Sequence, residues 1–145
     1  MKITSSFKEG EKIPTQYTCD GKDETLPIKI TNIPPNAKSL VLIMDDPDIP
    51  AFVKEKFSIT EFDHWIKYDI PPTNLIKGKL GKNSTGQNKY IGPCPPDKEH
   101  RYYVKVYALD TMLNLPDGKT KQEILKAIQG HIISEATLMG KYERN

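Results

Sequence analysis

The stretch Ser39-Leu-Val-Leu-Ile-Met-Asp-Asp-Pro-Asp48 decides how the rest of the chain is read. From Leu40 to Met44 it is apolar at odd and even positions alike, whereas a half-solvated strand alternates. Both of its faces must therefore be covered, which makes it the central strand of a sheet. It ends in a run of acids, Asp45, Asp46 and Asp48, so carboxylates gather where the most buried strand stops.

Working outward, the other apolar runs are short and separated by turn residues, the pattern of an antiparallel β protein. The strands expected are Ile3–Phe7, Ile28–Asn32, Leu40–Met44, His64–Ile70, Arg101–Leu109 and one within Ile132–Tyr142. In the fourth, His64, Ile66, Tyr68 and Ile70 fall on one face and Trp65, Lys67 and Asp69 on the other. In the fifth, Tyr102, Val104, Val106 and Ala108 form the apolar face, with His100 in phase. One helix is signalled: Thr120-Lys-Gln-Glu123 is a capping-box pattern, Ile124, Leu125 and Ile128 make a stripe, and Gly130 sits at the C-cap. Ile49–Asp63 is long for a β connection and has room for a helical turn. It carries Phe52, Phe57 and Phe62 among charges, which makes it a candidate functional loop.

The 145 residues suit a single domain spanning 1–145. Basic and acidic residues are interspersed, and a net charge of +2 gives no field that would attract nucleic acid. No apolar run approaches the ~18 residues of a membrane span, so stable membrane insertion is not expected. The start, MKITSSFKEG, lacks a signal-peptide core, and a cytoplasmic protein is expected. Cys19 and Cys94 are too few and too far apart for a disulfide framework or a zinc site. Two reduced thiols are expected, with a single long-range disulfide as the alternative.

Between antiparallel neighbours, the end of one strand lies beside the starts of the next. Asp46, Asp48, His64 and His100 can therefore converge at one rim of the sheet; the plainer alternative is that each histidine merely ends a strand. Two imidazoles can donate to an oxyanion, while an aspartate fixes a histidine tautomer or favours its cation, and another accepts from an ammonium. The set suits a small anionic or zwitterionic ligand. Gly92-Pro-Cys-Pro-Pro96, directly before His100, reads as a rigid wall whose only amide donors are Gly92 and Cys94. Two His and two Asp could bind a metal, but no HxH or HExxH spacing supports one, so neither metal nor cofactor is expected. There is no GxSxG elbow and no Walker loop, and Gly81–Gly86, with Ser84, reads as a turn.

Taken together, Leu42-Ile-Met-Asp-Asp-Pro-Asp48, His64-Trp65 with Tyr68-Asp-Ile-Pro71, Tyr90-Ile-Gly-Pro-Cys-Pro-Pro96 and His100-Arg-Tyr102 resemble the phosphatidylethanolamine-binding protein family. The bacterial and archaeal branch, often labelled Raf kinase inhibitor-like, is the nearest match. The likeness extends to Ile13-Pro14, Tyr17-Thr18 and Asp20-Gly21 near the start, and to Gly130-His131 and Gly140-Lys-Tyr-Glu-Arg144 at the end. It implies a β-sandwich built around a large antiparallel sheet with a few short helices. It also implies a pocket for phosphate, acetate or a phosphorylated headgroup, formed here by Asp46, Asp48, His64, Gly92, Pro96, His100 and Tyr102. Cys94 stands where the mammalian branch has glycine, and nothing after Tyr142 corresponds to that branch's C-terminal helix.

The resemblance implies a non-enzymatic regulator that acts by binding. Serine protease inhibition is the preferred specific role, with Phe52 and Phe57 of Ile49–Asp63 as the partner loop, unless those rings fold back onto the sheet. A carrier or sensor of phosphorylated ligands, a kinase-pathway regulator and a hydrolase using the Asp-His cluster are the alternatives. A homodimer is also among the arrangements the resemblance implies.

Overall fold

Residues 1–73 and 77–144 are described by a computed structural model. In chain order the elements are β1 (Lys2–Thr4), β2 (Lys29–Thr31), β3 (Ser39–Asp46), α1 (Ala51–Phe57), β4 (Phe62–Ile70), β5 (Lys79–Leu80), β6 (His100–Leu109), α2 (Lys121–Ala127) and β7 (Ile132–Tyr142). Five strands form one antiparallel sheet in the order β5-β4-β3-β6-β7, and β1 and β2 pair separately. The mainly β, antiparallel fold read from the sequence is the fold observed.

β3 is the middle strand, and all eight of its residues are buried. Its two parities feed two cores. Leu40, Leu42 and Met44 pack with Trp65, Tyr102, Val104, Val106 and Ala108, under the N-terminal segment with Phe7, Ile13 and Tyr17. Val41 and Ile43 pack with Ile66, Tyr68 and Leu109, beneath Ile124 and Ile128 of the α2 region. Each such aliphatic side chain contributes about 1.5–3 kcal/mol when buried. That double covering is why a run without alternation is stable at the centre of the sheet.

The simple alternation expected along His64–Ile70 is broken twice. The β3–β4 register shifts between Met44 and Asp45 and again between Leu40 and Leu42. Each shift adds a residue to β4, and Asp69 at the second has φ 51°. Ile66 and Tyr68 consequently join one core, Ile70 joins the other, and His64 lines a cavity with Tyr102. A strict period of two cannot anticipate an inserted residue.

The capping box at α2 is present, with Thr120 and Glu123 each accepting from the other's backbone N–H. Ile124 and Ile128 are buried, but Leu125 is exposed, so the apolar stripe is narrower than expected. The helix proper stops at Ala127, and Gly130, at φ 80°, turns the chain toward β7. Within Ile49–Asp63 the expected helical turn is the seven-residue α1. No helix among the described residues is long and apolar enough to cross a membrane.

The expectation of two reduced thiols is overturned: Cys19 and Cys94 form a disulfide. The chain brings them together because the Gly92–Pro96 loop packs on the Tyr17–Asp23 segment. Cys19 N–H donates to Pro93 O (3.1 Å), and the Tyr90 hydroxyl donates to Tyr17 O (2.8 Å). Gly92 is part of the same fit. A Cβ there would lie 2.2 Å from both Tyr17 O and Asp23 Oδ1, so a larger residue cannot be seated without moving the loop.

Candidate ligand-binding site

The ends of β3, β4 and β6 meet at one rim, as the antiparallel argument requires. Asp46 closes β3, His64 lies near the start of β4, and His100 opens β6 with Tyr102 two residues on. Ile49, Pro50 and Val53, leading into and along α1, form one side of a cavity of about 200 Å³. Ile91, Gly92 and Cys94–Pro96 form the other.

Six of the seven pocket residues named from the sequence line this cavity: Asp46, His64, Gly92, Pro96, His100 and Tyr102. Asp48 does not. Its carboxylate accepts from Arg101 Nε and Nη2 and from the Arg101 backbone N–H, all at 2.8 Å. These bonds hold Asp48 down to about 2, and tie the turn after β3 to the start of β6. Asp48 braces the rim from outside.

The histidines are arranged differently from the expected pair of donors. His100 Nδ1 lies 2.6 Å from Asp46 Oδ2 and its Nε2 lies 2.6 Å from Asp97 Oδ1. With a hydrogen on each nitrogen, both are donated to carboxylates and no N–H is left for a ligand. The other oxygen of Asp46 accepts from Asp48 N–H at 2.7 Å. Burial pushes Asp46 above the usual carboxylate range, against the lowering pull of His100 and of that amide.

His64 Nδ1 lies 2.7 Å from Ile91 O. A carbonyl can only accept, so Nδ1 carries the hydrogen and Nε2 of the neutral ring presents a lone pair. Burial holds the ring neutral, bringing it down to about 4, with the Ile91 bond opposing and His100 adding to the effect. The Gly92 amide, expected as a ligand donor, instead donates to Asp23 Oδ1 at 2.9 Å. His64 Nε2 and the Tyr102 hydroxyl are the polar side-chain atoms of the lining that no described residue engages. The residues carrying them are 5% and 1% exposed. The rings of His64 and Tyr102 meet edge to face with centroids 5.3 Å apart.

The sequence reading missed Asp97, although its i, i+3 spacing to His100 at a strand entrance was a usable signal. It also missed the apolar lining from Ile49, Val53, Phe62 and Ile91, which has no signature beyond proximity. Phe52 and Phe57 do not fold back: they are 68% and 61% exposed on α1, outside the cavity.

A second polar cluster lies on the opposite side of β3. The buried Lys121 ammonium sits 2.6 Å from Asp63 Oδ1, an ion-pair contact without the angle of a hydrogen bond, and bonds to Glu61. Asp45 lies 3.5 Å from it and 3.2 Å from Lys105. Asp45, Glu61 and Asp63 are close enough together to suit a metal ion, but the lysine occupies their centre. Burial works to lower Lys121, yet the carboxylates prevail and hold it above its ordinary value.

The family model for phosphatidylethanolamine-binding protein matches residues 3–143. A UPF0098 protein of Chlamydia trachomatis serovar D is 43% identical over the full length of both chains. One from Pyrococcus abyssi is 43% identical, over 99% of this chain and 85% of that one. The crystal structure of CT736, a phosphatidylethanolamine-binding protein homolog from Chlamydia trachomatis, aligns with a TM-score of 0.92 at 41% identity, covering 99% and 97% of the two chains. YbcL of E. coli shares the fold, with a TM-score of 0.84 at 24% identity over 99% and 98%. The motifs at the ends of three neighbouring strands, the cavity they enclose and these likenesses agree: the chain is a member of the phosphatidylethanolamine-binding protein family.

Proposed function

We propose that the protein binds a small oxyacid ligand, a phosphorylated headgroup or its carboxylate equivalent, in the cavity between α1 and the Gly92–Pro96 loop, and acts by binding. The observation that carries this reading is a pair of nearly buried polar side chains, His64 and Tyr102, each with an atom in the lining that no described residue engages. Both atoms are open to the cavity and not sealed inside the protein, so a ligand can take the place of water on them. The walls are fixed in advance by the disulfide and by Asp46 holding His100, which lowers the ordering cost of binding something small. The test is the ring resonances of His64 and His100 during titration with phosphoethanolamine. Both are expected to move at millimolar ligand, and His64→Ala to weaken binding. Unmoved resonances would remove the proposal.

Serine protease inhibition through Ile49–Asp63 is the second reading, supported by exposed Phe52 and Phe57. A protease cleft takes an extended segment, and here those rings sit on a helix, so ligand binding is preferred. A panel of chymotrypsin-like and elastase-like proteases that shows stoichiometric inhibition would reverse the order. The hydrolase reading ranks lower: the described lining has no Ser or Thr and Cys94 is in the disulfide, so the Asp-His cluster would have to activate a water, while both His100 nitrogens already face carboxylates. The Cys19–Cys94 pair offers a test of the compartment. The bonded form belongs to an oxidising environment and the cytoplasmic expectation to a reduced one. Thiol titration of acid-quenched cells decides between them.

A further inference from the structure

The cavity is short of donors, and this says which oxyacid it takes. Of the donors expected from the sequence, His100 and the Gly92 amide are engaged within the protein, and the Cys94 amide is the one that no described residue engages. His100 is flanked by Asp46 and Asp97, the Gly92 amide is bound to Asp23, and the prolines at 93, 95 and 96 have no N–H. Two side-chain atoms are left for a ligand. The Tyr102 hydroxyl can donate or accept, and His64 Nε2, with Nδ1–H directed at Ile91 O, can only accept. A fully ionised phosphate would set an oxyanion against that lone pair. An oxyacid that keeps one O–H satisfies both atoms, donating to His64 and accepting from Tyr102.

From this geometry we infer that the cavity selects the protonated, monoanionic form of a phosphomonoester, and discriminates against both the dianion and phosphodiesters. The inference rests on the binding reading above and specifies its ligand. A phosphodiester has a single, strongly acidic P–OH that is already ionised at these pH values, so an intact phospholipid lacks the O–H donor that a free phosphorylated headgroup keeps. A phosphomonoester loses its second proton near pH 6, so it still supplies the O–H close to neutrality.

The proton belongs on the ligand and not on His64. The ring is buried and held down to about 4. Near pH 7.5 its protonation is disfavoured by more than about a thousandfold, against roughly thirtyfold for the ester. The titratable groups facing the cavity are few. Asp46 comes from β3, His100 and Tyr102 from β6, and Asp97 from the loop before β6. The α1 side contributes Ile49, Pro50 and Val53, which do not titrate. Asp63, next to His64 in sequence, is engaged with Lys121 across the sheet, and Asp48 is paired with Arg101.

The test is calorimetry on the whole chain between pH 5.5 and 8.5, with phosphoethanolamine and with glycerophosphoethanolamine, its diester. The monoester affinity should fall close to tenfold per pH unit above about pH 6. Paired buffers of different ionisation enthalpy at pH 7.5 should show uptake approaching one proton per ligand bound. The diester should bind at least tenfold more weakly near pH 6, and His64 should stay in its neutral Nδ1–H tautomer by ¹⁵N NMR. His64→Gln, whose amide can turn its N–H toward the ligand, should flatten the pH slope. A pH-independent monoester affinity, equal diester binding or an imidazolium at His64 would each overturn the inference while leaving the site proposal standing. Absence of any binding would overturn both.

Discussion

Asp45 and Asp46 are consecutive residues on one strand, and their side chains meet opposite fates. Asp45 joins Glu61 and Asp63 around Lys121, a cluster in which a buried ammonium stands among three carboxylates. Asp46 engages His100 and the Asp48 amide, and beside it His64 and Tyr102 each present an atom to the cavity. Both clusters bury charge at the same end of the sheet. What separates them is closure, since one has its counter-ion built in and the other leaves hydrogen-bonding capacity unused. An acidic cluster is a poor marker of a site, whereas an open lone pair beside an open hydroxyl is a good one.

The largest expected effect breaks the closed side. Lys121→Met removes the central cation, and stability in urea at pH 7 should fall by about 3–5 kcal/mol. The loss should shrink as the pH is lowered, because Asp63, pushed up by burial, needs no partner once it protonates. Ligand binding by the folded fraction should be unchanged; a lost pocket would mean that the two sides are not independent.

On the open side, His64 is neutral when folded, and its value drops from 6.5 to about 4. Its contribution is therefore complete above pH 6.5 and lost as the pH falls to 4. The wild type should lose about 3 kcal/mol over that window relative to His64→Gln. Parallel pH–stability curves for the two proteins would contradict a buried neutral ring.

Replacing both Cys19 and Cys94 by Ser tests how far the wall depends on its tether. Stability should fall by about 2–4 kcal/mol. Ligand affinity should drop less than tenfold, because the Cys19–Pro93, Tyr90–Tyr17 and Gly92–Asp23 hydrogen bonds still hold the loop.

The smallest effect is expected at Asp48→Asn, outside both clusters. The pair with Arg101 is largely exposed, so under about 1 kcal/mol should be lost at neutral pH. Since Asp48 is held down to about 2, that contribution is present above pH 3.8 and fades below it. The mutant and wild-type curves should converge by pH 2.

The sequence made the frame legible because β3 announces itself: apolar residues at both parities, then acids, require a covered central strand with charges at its end. Antiparallel pairing then brought His64 and His100 to the same rim. Hydrogen-bond roles were not legible, since they depend on which acceptor lies within 3 Å of each nitrogen. Ile91 O lies 27 residues from His64, and no periodicity relates the two. Lys121 escaped notice for the same reason. In sequence it is an ordinary first-turn helix residue, and its partner Asp45 is 76 positions away. The face of His64 was misjudged against Ile66 because an inserted residue shifts the phase without changing composition.

The Cys19–Cys94 bond also has a topological consequence. It closes residues 20–93 into a covalent ring that holds β2, β3, α1, β4 and β5, while β6, α2 and β7 form a tail outside it. One proteolytic cut anywhere in that ring leaves the molecule in a single piece on a non-reducing gel. If the protein is pulled by its two ends, the tension crosses from Cys19 to Cys94, so the central strand and its acids Asp45, Asp46 and Asp48 lie off the loaded path.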